Sequence, residues 1–473
     1  MKKSLDVSPR ICIIGAGPCG ITAAKNLIQQ GLTHFVVFEK NYCLGGNWVF
    51  DEHGDHSSVY DTTHIISSKR LSEFEDFPMP ADYPDYPSHK QILQYFNSYA
   101  EHFGVNPFIQ FNTEVEQISR LEDEKWRVIY RDEEGVHESI YDYLVVANGH
   151  HWDPVMPDYS GEFSGQTLHA HQYKKASPFK DKKVLVVGGG NSACDIAVEI
   201  ARIAEKTCIS MRRGQHIFPK FVFGKPTDIM FSFIRKLPQW LKQILVGFVI
   251  RLLQGRYAKY HLKKPDCKPL KIHPTINSEL LYFIRHGEVS PRSGIERLEG
   301  NIVHFDDGQK DSFDVIIFAT GYKISFPFFS RELFDFSSSI SIPLYKKMMH
   351  SEFNSLYFIG LFQPQGCIWP LADYQAKIAA QIIAGNLQRP ANLADKICKE
   401  MKKSRSRFKQ TIRHAIEVDY HCFRNQLLKE LKKANKRVNL DAQETRIHPK
   451  KWVETRLDCG VVEETGYQNA EQP

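Results

Sequence analysis

Two glycine-rich turns, each placed straight after a short apolar run, constrain this chain more than any other feature. The first is Gly15-Ala16-Gly17-Pro18-Cys19-Gly20 after Arg10–Ile14; the second is Gly188-Gly189-Gly190-Asn191-Ser192-Ala193 after Lys183–Val187. Apolar runs of this length are buried parallel strands. Behind the first turn, Ile21–Gln30 has helical spacing, Gly31 closes the helix, and His34–Phe38 reads as a second strand ending in Glu39. Gly15 makes the tight turn, Gly17 lets backbone approach a pyrophosphate, and Gly20 lets helix and strand pack. The helix N-terminus faces the phosphates, and Glu39 is placed to accept from a ribose hydroxyl. The second turn repeats the plan with Gly188, Gly190 and Ala193, a helix predicted over Asn191–Ala204 and a strand over Thr207–Met211. That strand ends in Arg212-Arg213 where the first ends in an acid. Two guanidiniums there favour a ribose 2′-phosphate, and so NADPH over NADH. The bland reading is a solvated basic pair at a strand end. Ser192 adds a hydroxyl donor at the helix start.

The chain has 473 residues, enough for two or three domains, and a net charge of +6. That charge is mild and spread out, so nucleic acid is not implied. Ten cysteines lie far apart with no CxxC or zinc-like spacing, which suits free thiols in a reducing cytoplasm and no metal. Met1–Arg10 lacks the apolar core of a signal peptide. Ile229–Leu253 is apolar but broken by Arg235, Lys236, Pro238, Lys242 and Arg251, short of the ~20 apolar residues a spanning helix needs. A cytoplasmic protein without a membrane span is expected. Ile217–Lys264 has helical apolar spacing and predicts an amphipathic helix pair, a lid over a substrate entrance or a surface docking on a membrane or a second subunit. His273-Pro274-Thr275 and Asn277-Ser278 are candidates for site lining or for helix caps.

Further motifs follow a fixed order. Leu44-Gly45-Gly46-Asn47-Trp48 lies just past Glu39, and Tyr86-Pro87-Ser88-His89 predicts a Ser88 N-cap and a helix from His89. Tyr141–Ala147 is a buried-type strand running into Asn148-Gly149-His150, with Trp152, Pro154 and Pro157 as linker. Phe163, Gly165, His169 and Tyr173 form a spaced set ahead of the second turn. Phe313–Ala319 is a strand running into Thr320-Gly321-Tyr322, Tyr357–Gly360 is a last strand, and Ala372–Ala376 opens a helix containing Gln375. Leu393–Asn435 predicts charged, amphipathic helices, and the tail after Val453 predicts disorder.

This ordered set resembles the flavin-containing monooxygenase family. Phe163-x-Gly165-x-x-x-His169-x-x-x-Tyr173 matches its signature FxGxxxHxxx(Y/F/V); the related Baeyer–Villiger enzymes place tryptophan last. The resemblance implies an α/β fold with two Rossmann-like dinucleotide-binding domains, the NADP domain inserted in the FAD domain, and a C-terminal helical extension. The boundaries expected are 1–157 and 323–392 for FAD, 158–322 for NADP with a helical insert at 217–264, an extension at 393–452 and a tail at 453–473. FAD is expected at Gly15, Gly17, Pro18, Cys19, Gly20, Glu39, Lys40, Gly46, Asn47 and Trp48. Further contacts are expected from Val115, Ala147, Gly149, Thr320, Gly321, Tyr322 and Gln375. NADPH is expected at Gly188, Gly190, Asn191, Ser192, Ala193, Arg212 and Arg213. His169 is read as an interdomain hydrogen-bonding residue rather than a proton-transfer catalyst.

The implied chemistry is hydride transfer from NADPH to FAD, dioxygen addition at C4a, and delivery of the terminal oxygen to a soft nitrogen or sulfur. The implied partners are dioxygen and a small nucleophilic substrate; a homo-oligomer is also expected, and 229–253 is the candidate stretch for peripheral membrane contact. One position departs from the family. Aligning Tyr60 and Lys69 with the loop after the GGxW segment puts Ile66 where the family carries an asparagine holding nicotinamide and peroxide. His64, Ser67 or Ser68 is then the candidate substitute, and a less protected oxygen adduct is expected. The rival readings are an NADPH oxidase releasing hydrogen peroxide, a Baeyer–Villiger ketone oxygenase, which Tyr173 disfavours, and a non-catalytic NADPH/FAD sensor. A disulfide reductase is disfavoured because Cys43 has no nearby partner cysteine.

Overall fold

The computed structural model describes residues 8–435 apart from 54–56, 338 and 410. The last part of the expected 393–452 extension and the tail from 453 lie outside the described residues. The elements that position the site are β1 (Ile11–Ile14), α1 (Pro18–Gln29), β2 (Phe35–Phe38), α2 (His89–His102), β3 (Ile109–Gln110) and β4 (Tyr143–Val146). They continue with β5 (Gln166–His169), β6 (Lys183–Val187), α3 (Asn191–Ala201), β7 (Lys206–Ser210), α4 (Gln239–Gln254), β8 (Val289–Arg292) and β9 (Val315–Phe318). Last come β10 (Leu356–Phe358), α5 (Trp369–Ile383), α6 (Leu393–Arg407) and α7 (Tyr420–Asn435).

Two five-stranded sheets result, of order β10-β4-β1-β2-β3 and β5-β9-β6-β7-β8. Every pairing within them is parallel. Side chains alternate across a strand, and both faces are covered. Ile11 and Ile13 enter the core shared with α1, α2 and α5, while Cys12 and Ile14 enter a second core beneath the sheet. Val184 and Val186 pack toward α3, while Leu185 and Val187 pack on Phe305 and Phe313. Double burial is why these strands read as unbroken apolar runs.

Helix starts differ from the sequence expectation for one reason. α1 begins at Pro18 rather than Ile21, and α5 at Trp369 rather than Ala372, each with proline in its first turn, where the missing N–H has no intrahelical acceptor. Ser88 caps α2 in a full capping box with Gln91, as its position predicts. The expected amphipathic pair in the insert is one full helix, α4. Before it stand a single turn at Thr227–Met230 and a 3-10 segment at Phe231–Lys236, because Pro238 ends the run before a second helix can lengthen. α4 buries Gln243, Val246 and Ile250 and leaves Trp240, Ile244, Phe248 and Leu252 exposed at four-residue spacing. Among the described residues no helix is long and apolar enough to cross a membrane.

The two chain crossings between the sheets lie side by side. Asp153–Pro154 pairs antiparallel with Tyr322–Lys323, the Thr320 hydroxyl donates to the Val155 carbonyl, and the Val155 N–H donates to the Gly321 carbonyl at 2.9 Å. Behind the first turn, fully buried Lys25 on α1 pairs with Asp76 at 2.7 Å and with Asp373 on α5 at 2.8 Å. Asp373 also accepts from Thr22 at 2.6 Å and Asn26 at 2.7 Å. Lys25 holds its carboxyl down to about 2.

Candidate active site

A cleft of about 450 Å³ opens where β1 and β4 end and the α1 N-terminus begins. Gly15 has φ +96°, and a Cβ on Gly20 would lie 1.8 Å from the Gly15 carbonyl oxygen, so helix and turn can approach only with glycine there. Gly17 is the α1 N-cap and faces Gly46, so two backbones without side chains form the cradle that a pyrophosphate needs. The Gly45 N–H donates to the Ala16 carbonyl at 3.1 Å, tying the GGxW segment to the turn. Glu39 is buried and accepts from the Ala16 N–H at 2.7 Å and from the Asn41 backbone and amide N–H groups. Burial pushes its carboxyl above the ordinary range, and these donors oppose the shift. Lys40 Nζ sits 5.4 Å from the Trp152 ring centre at the rim. Trp48 meets Trp369 edge-on at 5.5 Å, closing the far wall.

The cleft lining includes Gly15, Gly17, Pro18, Cys19, Glu39, Lys40, Gly46, Asn47, Trp48, Val115, Ala147 and Gly149 from the sequence expectation. From the second turn it takes Asn191 and Ser192, the first residues of α3, so both helix N-termini open on one space. The Cys19 thiol is pushed up to about 12 by burial, which leaves it unreactive. Arg212 and Arg213 are exposed at the end of β7, outside this lining.

Other expected residues sit behind the wall. Gln375 is fully buried, accepting from the Gly360 N–H at 2.9 Å and donating to the Lys346 carbonyl at 2.8 Å; the residue reaching the cleft is Gly360. Thr320, Gly321 and Tyr322 are in the crossing rather than the lining. The signature set is likewise structural. A Cβ on Gly165 would lie 2.4 Å from the Asp314 carbonyl oxygen and 2.6 Å from the Phe163 ring. His169 meets Tyr322 edge-on at 5.2 Å, and burial together with His171 pushes its imidazole down to about 4, neutral at pH 7. Tyr173 is fully buried against Phe179 and Tyr60.

The loop that carries Ile66 runs along the cleft edge. His64 lines the cleft, with Nδ1 donating to the Thr62 carbonyl at 2.8 Å. The Ser67 hydroxyl is bonded to Ser72 at 2.9 Å and faces a neighbouring chamber instead. Ile66 lines both spaces. The chamber is about 170 Å³ and walled largely by apolar side chains from distant segments, among them Leu71, Phe218, Phe231, Ile234, Val246 and Ile276. His273 also lines it, its Nδ1 3.0 Å from Glu417. The Asn277 side chain accepts from the Glu279 and Leu280 N–H groups ahead of the helix that begins at Leu280, and donates to Asp195 at 2.6 Å.

Two contacts were invisible in the sequence. The Tyr60 hydroxyl donates to Asp195 on α3 at 3.0 Å, joining the first region's loop to the second turn's helix. The Ser68 N–H donates to Asp228 at 2.7 Å, fastening the same loop to the insert. An acid on the inward face of α3 was the available signal for the first; the second has none.

Two dinucleotide turns opening on one cleft, with an apolar chamber abutting it, define an α/β protein that holds two nucleotide cofactors beside a small-molecule site. A flavin-binding monooxygenase-like family model matches residues 8–444. Flavin-containing monooxygenase 5 of Oryctolagus cuniculus is 34% identical over 87% of this chain and 80% of its own length; flavin-containing monooxygenase 1 of Homo sapiens is 33% identical over 89% and 83%. Among solved structures, S-allyl-L-cysteine S-oxygenase from Allium sativum superposes with a TM-score of 0.68 at 23% identity, covering 90% of this chain and 89% of that one. A cyclohexanone monooxygenase from Rhodococcus bound to NADP+ gives 0.66 at 17%, covering 90% and 97%. The chain belongs to the flavin-binding monooxygenase-like family. Its cofactors are FAD and NADPH, and the glycine cradle, Glu39 and the paired helix N-termini fit them.

Proposed function

We propose that this chain is an NADPH-dependent monooxygenase that oxygenates a soft nitrogen or sulfur of a small molecule. The observation carrying this reading is the apolar chamber that meets the cofactor cleft at Ile66. Relatives named for N-oxide formation and a fold neighbour named for S-oxygenation support it. The same reading assigns 1–157 and 323–392 to FAD binding and 158–322 to NADP binding.

FAD reduced by NADPH supplies dioxygen activation; the protein supplies placement and water exclusion. Gly15, Gly17 and the α1 N-terminus hold the FAD pyrophosphate, and Glu39 orients its ribose. Asn191 and Ser192 hold the NADPH phosphates, and Arg212 with Arg213 hold the 2′-phosphate. Ile66 offers no hydrogen bond and keeps the boundary between cleft and chamber dry. His64 is the polar side chain of that loop with a ring nitrogen, Nε2, to offer the cleft.

An uncoupled oxidase is the second reading, and Ile66 is what favours it. The test is to bleach the purified, FAD-loaded chain with NADPH anaerobically, then admit oxygen with a thioether or tertiary amine and count peroxide against product. Product matching most of the NADPH consumed supports the proposal; peroxide matching it whatever is added means an oxidase. Ile66→Asn is expected to lower peroxide per NADPH, and an unchanged ratio would assign protection to another group.

A further inference from the structure

Three spaces form a path from the surface inward. The outermost is a groove of about 690 Å³ between the Pro238 end of α4 and the helices α6 and α7. It shares Lys242, Asp419 and His421 with the apolar chamber, and the chamber shares Ile66 with the cofactor cleft. The groove is strongly basic: Lys236, Lys242, Lys403, Arg407 and Arg424 line it, and Asp419 is its one carboxylate. Arg407 pairs with Asp419, and Arg424 with Glu75 and the Tyr374 hydroxyl. Lys236, Lys242 and Lys403 have no ion-pair partner among the described residues, so three positive charges face the groove uncompensated. A concave wall of low dielectric focuses such a field.

The chamber's two carboxylates are both engaged by donors. Asp228 accepts from the Ser68 N–H at 2.7 Å and the Ile229 N–H at 2.8 Å. Asp419 accepts from Arg407 and from the Cys422 N–H at 2.8 Å. Asp419 is neutralised by Arg407, and half-buried Asp228 is the one carboxylate of the chamber without a cationic partner among the described residues, against Lys236, Lys242 and Lys403 along the path. The polarity along the path therefore runs from cationic groove to apolar chamber to cofactor.

We infer that the site takes an anionic amphiphile: a soft nucleophilic atom on an apolar stem, with a carboxylate or similar anion left behind in the groove beside Lys242 and Lys403. The stem fills the chamber, and the reacting atom passes Ile66 into the cleft. Lys242, common to groove and chamber, reads where the stem ends. This inference rests on the proposed monooxygenase reading for its reacting atom, and on the groove alone for its charge.

The test uses the full FAD-loaded chain and thioethers of graded stem length that end in a carboxylate, its neutral amide or an ammonium group. Binding to the oxidised protein is measured first, by calorimetry. The carboxylate is expected to bind about tenfold tighter than the amide at low salt, as two partly screened charges would give. The preference should shrink as salt rises. Lys242→Ala with Lys403→Ala should abolish it, and Lys242→Arg with Lys403→Arg should keep it. Equal or weaker binding of the carboxylate, a preference that survives the alanine pair, or no binding at any stem length overturns the inference. So does inorganic phosphate binding as tightly as the thioether, since the groove would then hold free anions without a stem. Turnover of the same compounds separates the two readings. Sulfoxide from the amide and carboxylate alike, without a binding preference, removes the charge selectivity and leaves the monooxygenase. A binding preference with no oxygenated product from any member supports the groove and overturns the monooxygenase.

Discussion

In the first nucleotide unit, the residue after the second strand is Glu39, 5% exposed and held by the Ala16 and Asn41 N–H groups. In the second unit the equivalent place is Arg212-Arg213, both exposed. The helices behind the turns differ in the same sense. α1 carries Lys25 in an ion network with Asp76 and Asp373, whereas α3 carries Asp195 among neutral donors, Tyr60 and Asn277. One motif has thus been set at two depths. The walled one suits a cofactor that stays through turnover, and the open one suits a cofactor that must leave.

The largest expected effect comes from breaking the ion network. Lys25→Met leaves buried Asp373 with only the more distant Lys377, at 4.0 Å, and should cost about 3–5 kcal/mol of stability, read from the denaturant midpoint. The pH dependence follows in sign. Asp373 has a folded pKa of about 2, below its ordinary unfolded value. Its stabilisation is present above that unfolded value and is lost as pH falls through it toward the folded one. In Lys25→Met that acid loss should flatten or reverse, because the carboxyl is no longer held below its unfolded value; an unchanged slope would show that Lys25 does not hold it down.

Gly20→Ala comes next. Its Cβ would press on the Gly15 carbonyl, and overpacking of this kind costs about 1–3 kcal/mol. The purified protein should lose its bound flavin absorbance while still binding NADPH, because the second turn is untouched. Arg212→Ala with Arg213→Ala sharpens the other side. Losing charge-assisted contacts of about 1.5–3 kcal/mol should raise KM for NADPH by about 10- to 100-fold and leave NADH unchanged. Equal shifts for both nucleotides would move the 2′-phosphate site elsewhere.

The smallest effect is expected at Asp195. Burial raises its folded pKa, so burying the charged form costs stability above that pKa, and the cost is relieved as pH falls through it. Asp195→Asn should leave stability at neutral pH within about 0.5 kcal/mol or raise it, since the Tyr60 hydroxyl can turn to accept. A large loss would mean the carboxylate does more than join the two regions.

What the sequence made legible was local. Glycine turns, buried strands and the Ser88 cap depend on residues within a few positions of one another, and their edges moved by one to three residues, helix starts moving where Pro18 and Pro370 could open a helix early. What it hid was assembled from afar. Ile66, Phe218 and Ile276 share a chamber although no spacing connects them. Gln375, fully buried, grips the Gly360 N–H and the Lys346 carbonyl, partners that no local spacing announces. The signature set identifies the family while lining no part of the cleft. Its residues keep the two crossings and the Tyr60 contact in register, a task no motif announces.

The strand order carries a consequence for synthesis. The second sheet is complete once Val315–Phe318 has emerged, but the first needs Leu356–Phe358 to pair with a strand at Tyr143–Val146. On the ribosome the second sheet can close while the first still lacks a strand, and Tyr143–Val146 must wait for its outer partner until most of the chain is made. The cleft at the first turn, although encoded first, is finished last. A truncation ending between the two strands would therefore present a closed second sheet and an unfinished first one.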